Sequence, residues 1–249
     1  MEAYSSWLDY GDRVFVLDGE SQDDTADALA ALAEVDPRFE WTSRPWPDTR
    51  VAGASIADFT NEALRLARQG AERLMYVQAD EIYTVAQRRT VHELTDGALE
   101  FAGCINFWNS MDTVVANDFP MTYLRLFQAR EGVRSIGDGF SFAVDGQSVR
   151  RTDELILHYG WCFPVNILKK HVTHANLYPD QLPYRVRGRL AAAMLEEGNY
   201  DRRLLDALAP AYRPTPFHGE HPECVRHLLG RDAYDPELGL SLLRSGVSW

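Results

Sequence analysis

Apolar and polar residues come in alternating blocks along the first hundred positions, and the blocks read as strands and helices in turn. Val14-Phe15-Val16-Leu17 is an unbroken apolar run, the pattern of a strand covered on both faces. It stops at Asp18-Gly19-Glu20-Ser21, after which Asp23 or Asp24 predicts the cap of a helix carrying Ala28, Leu29, Leu32 and Ala33 at helical spacing. Residues 39–42 predict a short strand ahead of a turn-rich stretch. Residues 56–68 predict an amphipathic helix through Ile56, Phe59, Ala63, Leu64 and Ala67, closed by Gly70. A strand over 74–77, a helix over 85–94 and a strand over 102–108 complete the series. The alternation predicts a parallel, three-layer core.

Past residue 110 the pattern changes. Residues 123–128 and 141–144 read as strands of a more irregular, antiparallel segment, and 155–159 is a further apolar run. Helical spacing returns over 184–197, 201–208 and 222–230. Three prolines, Pro210, Pro214 and Pro216, stiffen the intervening connector. The expected division is a main domain over residues 1–180 and a helical appendage over 181–249.

Composition narrows the class. With 249 residues, 45% hydrophobic and 25% charged, the chain is long enough to bury a substantial core. No apolar window is long enough to span a membrane, and residues 1–6 show no secretory pattern. Cys104, Cys162 and Cys224 lie far apart, fit neither a zinc site nor a disulfide framework, and point to a reducing cytoplasm. A net charge of −12 argues against a general nucleic-acid binder. Basic residues do gather locally, in Lys169-Lys170-His171 and in Arg185, Arg187 and Arg189.

The candidate chemistry lies where two apolar runs end in acids. One is Val14 to Leu17, ending at Asp18. The other is Leu74-Met75-Tyr76-Val77-Gln78-Ala79, ending at Asp80-Glu81. Open α/β sheets bind ligands at the carboxyl ends of their strands. Two acid tips at one crevice suit a divalent cation and a phosphorylated ligand. Asp18 can accept hydrogen bonds from a nucleobase imide or a ribose hydroxyl, or else cap a helix. Asp80 and Glu81 suit Mg²⁺ or Mn²⁺, or else form a solvated turn.

The stretch from Val14 to Thr25 resembles the opening signature of the family 2 glycosyltransferases, an aliphatic run followed by Asp-Gly/Ser-x-Ser-x-Asp-x-Thr. Leu74 to Glu81 is similar to their second signature, closed by Asp-x-Asp-Glu, and Leu157-His158-Tyr159-Gly160-Trp161 with Lys169-Lys170 resembles a later conserved region. The resemblance covers roughly residues 8–175. It implies a GT-A fold, an α/β three-layer arrangement with a mostly parallel central sheet, here followed by C-terminal helices. It further implies an inverting, Mg²⁺- or Mn²⁺-assisted transfer from a nucleoside-diphosphate sugar, a UDP-sugar foremost. Asp18, Glu20, Gln78, Asp80, Lys169 and Lys170 would then bind nucleotide and sugar, and Asp80 with His158 the metal. His158 also reads as a core histidine, and the two lysines as a solvated helix face.

Two departures stand out. Gln78 replaces the first acid of the family's Asp-x-Asp, leaving Asp80 as the metal carboxylate. Family members also begin with one further strand, and its lack here predicts an uncovered sheet edge and a homodimer. For the base that deprotonates the acceptor hydroxyl, Asp138 lies in the glycine-flanked Gly137-Asp138-Gly139, which also reads as a plain turn; Asp112 and Asp118 stand in the same region. Trp46, Trp108, Tyr159 and Trp161 read as stacking faces or as core. Arg185 and Arg189, one helical turn apart, suit an anionic acceptor or a solvated face. The acceptor itself stays open among glycan, lipid-linked, small-molecule, protein and modified nucleic-acid classes. A non-catalytic relative that binds a nucleotide sugar or glycan is the alternative. A haloacid-dehalogenase phosphatase fails because Glu20 stands where its second aspartate belongs, and no glycine-rich dinucleotide fingerprint follows the first strand.

Overall fold

The computed structural model describes residues 6–7, 10–47, 54–115, 121–137, 141–208, 214–226 and 228–229. Strand β1 (Val14–Asp18) and β2 (Phe39–Ser43) pair in parallel, with Val14 opposite Phe39 and Asp18 opposite Ser43, and helix α1 (Thr25–Val35) makes the crossover. The alternating blocks are realised here as a βαβ unit. Leu32 and Phe39 form its small buried centre, with Val14, Val16, Leu29 and Trp41 against them. Helix α2 (Ala54–Ala67) follows, and Leu64 on its apolar face joins a cluster with Leu74, Leu124 and Phe127.

The mostly parallel GT-A sheet is not what the chain builds. The central sheet has seven strands: β3 (Arg73–Met75), β4 (Glu81–Ile82), β5 (Ala98–Phe107), β6 (Thr113–Val115), β7 (Tyr123–Gln128), β10 (Val149–His158) and β11 (Thr215–Pro216). Strands β8 (Val133–Ile136) and β9 (Ser141–Val144) make an antiparallel hairpin of their own. Within the seven-stranded sheet only β5 and β10 run parallel; the β4–β10, β6–β11, β3–β7, β5–β6 and β5–β7 pairs are all antiparallel.

Connection length explains the difference. A parallel neighbour needs a crossover of roughly a dozen or more residues, usually a helix, whereas a short turn makes an antiparallel one. After α3 (Val85–Glu93) no helix occurs among the described residues until α4 (Pro164–Leu177), so β5 to β10 are joined without helical crossovers.

Helix α4 starts with a proline in its first turn, where the missing N–H costs nothing. It buries Ile167, Leu168 and His171. Helix α5 (Leu182–Glu196) packs against it at Gly188, where a Cβ would strike Ala175; the close approach needs glycine. With α6 (Arg202–Leu208), these helices share one buried cluster of Trp108, Val115, Ile167, Leu168, Ala191, Met194, Leu205 and Leu208. A last short helix, α7 (Glu223–Arg226), places Cys224 and Val225 in a cluster with Ile82, Phe107 and Tyr159. No helix among the described residues is long and apolar enough to cross a membrane.

Candidate functional site

The exit of β1 is a tight anion-holding turn. The Ser21 N–H and hydroxyl donate to the Asp18 carboxylate at 3.1 and 2.5 Å, and the Ser43 hydroxyl donates to it at 2.9 Å from β2. Burial raises the Asp18 carboxyl, but these hydrogen bonds outweigh it and hold the group below its ordinary value. The Glu20 backbone N–H adds to these donors, so the turn wraps the carboxylate closely. Glu20, exposed, carries the turn with a left-handed backbone (φ 58°), a conformation that costs a non-glycine residue and recurs at functional loops. Trp46 lies over Gly19, whose Cβ would sit 3.2 Å from the indole, and it stays 47% exposed beside Asp18.

At the entry to β4, two adjacent acids part company. Glu81 turns inward. Its carboxylate receives the Arg125 guanidinium at 2.6 and 3.2 Å and the Tyr83 hydroxyl at 2.9 Å, and both members of the ion pair are almost fully buried. The Tyr76 and Tyr123 rings lie 5.2 and 5.0 Å from the same guanidinium. Glu81 therefore locks β4 to β7 rather than serving as a free acid tip.

Asp80 turns outward, with its side chain 30% exposed. Its Oδ2 accepts from the Lys170 ammonium at 2.6 Å and lies 3.2 Å from His158 Nε2. Burial pushes the carboxyl up, yet the charges and hydrogen bonds of His158 and Lys170 prevail and hold it well below the usual carboxylate range. His158 Nδ1 is 2.8 Å from Asn106 Oδ1, so the ring donates there and, when neutral, presents a lone pair at Nε2. Lys170 also stands 5.1 Å above the Trp161 ring. Gly160 passes so close that a Cβ there would overlap both the Lys170 ammonium and the Asp80 carboxylate.

Three sequence-predicted residues, Asp80, His158 and Lys170, thus form one cluster at the end of the β4–β10 pair. Gln78 lines the adjoining cavity together with His158 and Lys170. Lys169 is exposed; the Thr25 hydroxyl chiefly holds the Asp23 carboxyl down, and the Lys169 charge adds to it. Asp112 is exposed, with its carbonyl accepting from the Phe217 N–H at 2.8 Å. Asp118 and Asp138 lie outside the described residues.

The cavity measures about 440 Å³ and is walled by Trp108, Trp161, Tyr178 and Tyr184, with His171 and Arg187 among its polar groups. Sequence reading passed over His171, His174 and Arg187 as site residues. The signal was present in the apolar spacing of Ile167, Leu168 and Val172, which puts positions 167, 170, 171 and 174 on one helical face. No protein-family model matches this chain, and no curated protein matches it either.

Proposed function

We propose that this protein transfers a sugar from a nucleoside-diphosphate sugar, a UDP-sugar foremost, to an acceptor hydroxyl, as a relative of the family 2 glycosyltransferases built on a sheet of different make-up. The observation that carries the reading is the Asp80–His158–Lys170 cluster beside a ligand-sized cavity.

In this reading the Asp18 carboxylate takes a base imide or ribose hydroxyl in exchange for one of its present donors, with Trp46 as the stacking face next to it. Lys170 and Lys169 neutralise the diphosphate. The donor set also suits a cation: Asp80 Oδ2 and His158 Nε2 are 3.2 Å apart. Adjacent ligands on one octahedral ion at about 2.1 Å sit roughly 3 Å apart. Asn106 fixes the His158 ring as second-shell partners do. Asp80 and His158 are accordingly the residues that would hold Mg²⁺ or Mn²⁺, which when bound supplies charge stabilisation to the departing diphosphate. Among the described residues no third His, Cys, Asp or Glu joins them. Transfer forms a bond from the acceptor oxygen to the anomeric carbon, breaks the bond from that carbon to the diphosphate, and passes the hydroxyl proton to a base.

A screen of nucleotide sugars for hydrolysis and transfer, run alongside Asp80→Ala, tests the proposal. Turnover by the wild type that Asp80→Ala abolishes supports it; no donor bound or turned over removes it. One observation favours the non-catalytic binder: Lys170 occupies the same Asp80 oxygen that a metal would use. Calorimetry showing UDP binding with no turnover of any donor selects that reading instead.

Free thiols at Cys104, Cys162 and Cys224 support a reducing, cytoplasmic setting. Strands β1 and β2 pair only with each other among the described residues, so each keeps an edge with no strand beside it. That supports a homodimer formed through one of these edges; a monomer by light scattering at micromolar concentration removes this part.

A further inference from the structure

His171 is 3% exposed, lines the cavity, and has no hydrogen-bond partner at either ring nitrogen. A buried polar group left unsatisfied costs roughly 1–3 kcal/mol, and native structures contain few of them. Its surroundings are aromatic: Trp161 lies 5.4 Å away and Trp108 6.5 Å, ring centre to ring centre. Burial first, then the charges of His174 and Arg187, push its pKa down to about 4, so the ring is neutral at physiological pH. A neutral imidazole carries one donor and one acceptor. A hydroxyl group matches that pair, because it too both donates and accepts.

The walls supply the rest of the ligand's description. Trp108, Trp161, Tyr178 and Tyr184 line the cavity beside apolar and polar side chains, and binding sites of about 300–1,000 Å³ with apolar walls and a few placed polar groups are typical for small ligands. A pyranose presents a C–H face to such rings and a rim of hydroxyls to a polar group. Lys170, one residue earlier on α4, borders the same cavity and reaches Asp80.

We infer that this cavity is the acceptor site and takes a carbohydrate, whose ring lies among Trp108, Trp161, Tyr178 and Tyr184 and whose hydroxyl is held by His171. The word acceptor rests on the transferase reading; the carbohydrate binding does not.

The test uses the full chain without nucleotide. Methyl α- and β-glycosides of glucose, galactose and mannose are titrated, with tryptophan fluorescence and saturation-transfer NMR as readouts. At least one glycoside binds the wild type. His171→Phe, which keeps the ring and loses both nitrogens, weakens it at least tenfold, whereas His171→Gln, with a donor and an acceptor, stays within about threefold. Circular dichroism reports whether each variant folds. Should His171→Phe not fold, the ring ¹⁵N shifts of wild-type His171 decide: they move on glycoside addition, and fixed shifts overturn the assignment. Binding of no glycoside, binding of p-cresol alone, or equal binding by His171→Phe also overturns it. UDP calorimetry is run separately. If UDP fails and a glycoside binds, the transferase reading falls and the carbohydrate site stands; the reverse result does the opposite.

Discussion

Asp80 and Glu81 are neighbours in the chain, carry the same functional group and end the same apolar run, yet the fold gives them opposite work. Glu81 is 1% exposed, and its carboxylate is taken up by Arg125 and Tyr83, with the Gln78 N–H a further donor at 3.3 Å. Asp80 is partly open, and the two side chains that meet it, His158 and Lys170, border a cavity. Asp80 lies in the turn closed by the Glu81 N–H on the Gln78 carbonyl at 3.0 Å, whereas Glu81 is the first residue of β4, so the step from turn to strand separates a structural acid from one in the candidate site. The contrast teaches that a charged pair acts on ligands only where its partner can exchange. Arg125 has no route to solvent, whereas Lys170, 30% exposed, can leave Asp80 for a phosphate.

The largest effect comes from breaking the inner pair. Arg125→Met leaves Glu81 buried without its cation, and loss of one member of such a pair costs about 3–5 kcal/mol. Urea denaturation of Arg125→Met should show that loss. Replacing both members with apolar residues, as in Glu81→Leu with Arg125→Met, should bring stability back to within about 2 kcal/mol of the wild type. If Arg125→Met is as stable as the parent, the inner pair is not the lock proposed here.

The outer pair should show the opposite balance. Asp80→Asn is expected to lower donor turnover by about 10²-fold, or about 2.7 kcal/mol of transition-state stabilisation. Its cost in stability should stay below that of Arg125→Met, because the Asp80 and Lys170 side chains are each 30% exposed while the inner pair is almost fully buried. Kinetics and denaturation on one preparation give both numbers. A stability loss as large as that of Arg125→Met would erase the distinction between the two acids.

How legible this contrast was depends on the distance over which each residue finds its partner. Asp18 and Asp80 stand out because an acid directly after an apolar run is a local signal. Glu81 shares that signal, but its fate is set by Arg125, 44 positions away in Tyr123-Leu124-Arg125-Leu126-Phe127. An arginine inside so apolar a strand must find an anion, which was the clue to read. The sheet's direction was harder still. Apolar runs reveal strands, not their orientation, and β5 finds its parallel partner β10 some fifty residues on, with Ala98 opposite Val149. The short 108–112 connection into β6 was the readable sign of an antiparallel neighbour. Helix α4 was read only as a solvated helix face under Lys169 and Lys170, although Pro164, Ile167, Leu168 and His171 already had the start signal and spacing of a helix with a buried side.

His171 extends the comparison to a group with no partner at all. Its folded pKa of about 4 lies below the ordinary 6.5, so the unfolded chain binds more protons between these values. Stability from this group is complete above about pH 6.5 and declines as pH falls toward 4. Between pH 7.5 and pH 5 the loss should be about 2 kcal/mol. Denaturation of wild type and His171→Phe at both pH values isolates it, because the wild type should lose that amount relative to the variant on going to pH 5. An unchanged difference would mean that the ring is not held neutral by its surroundings.

The smallest change in stability, and the sharpest probe of the outer pair, is Gly160→Ala. The Gly160 backbone needs no positive φ, so alanine is conformationally acceptable there. Its Cβ, however, would take the space shared by the Lys170 ammonium and the Asp80 carboxylate. Lys170 is the flexible end of that contact, while Asp80 is tethered by its carbonyl, which accepts from the Tyr159 N–H at 2.8 Å. The ammonium and the carboxylate must both turn away to admit it, which breaks their ion pair, and the affinity for UDP should fall with it. Combining Gly160→Ala with Lys170→Ala separates this route from general disturbance. Substitutions that act on one contact are not additive, so Gly160→Ala should weaken UDP binding in the wild type and add little once Lys170 is already alanine. Full additivity would place the effect of Gly160 elsewhere and leave Asp80 without the exchangeable partner that distinguishes it from Glu81.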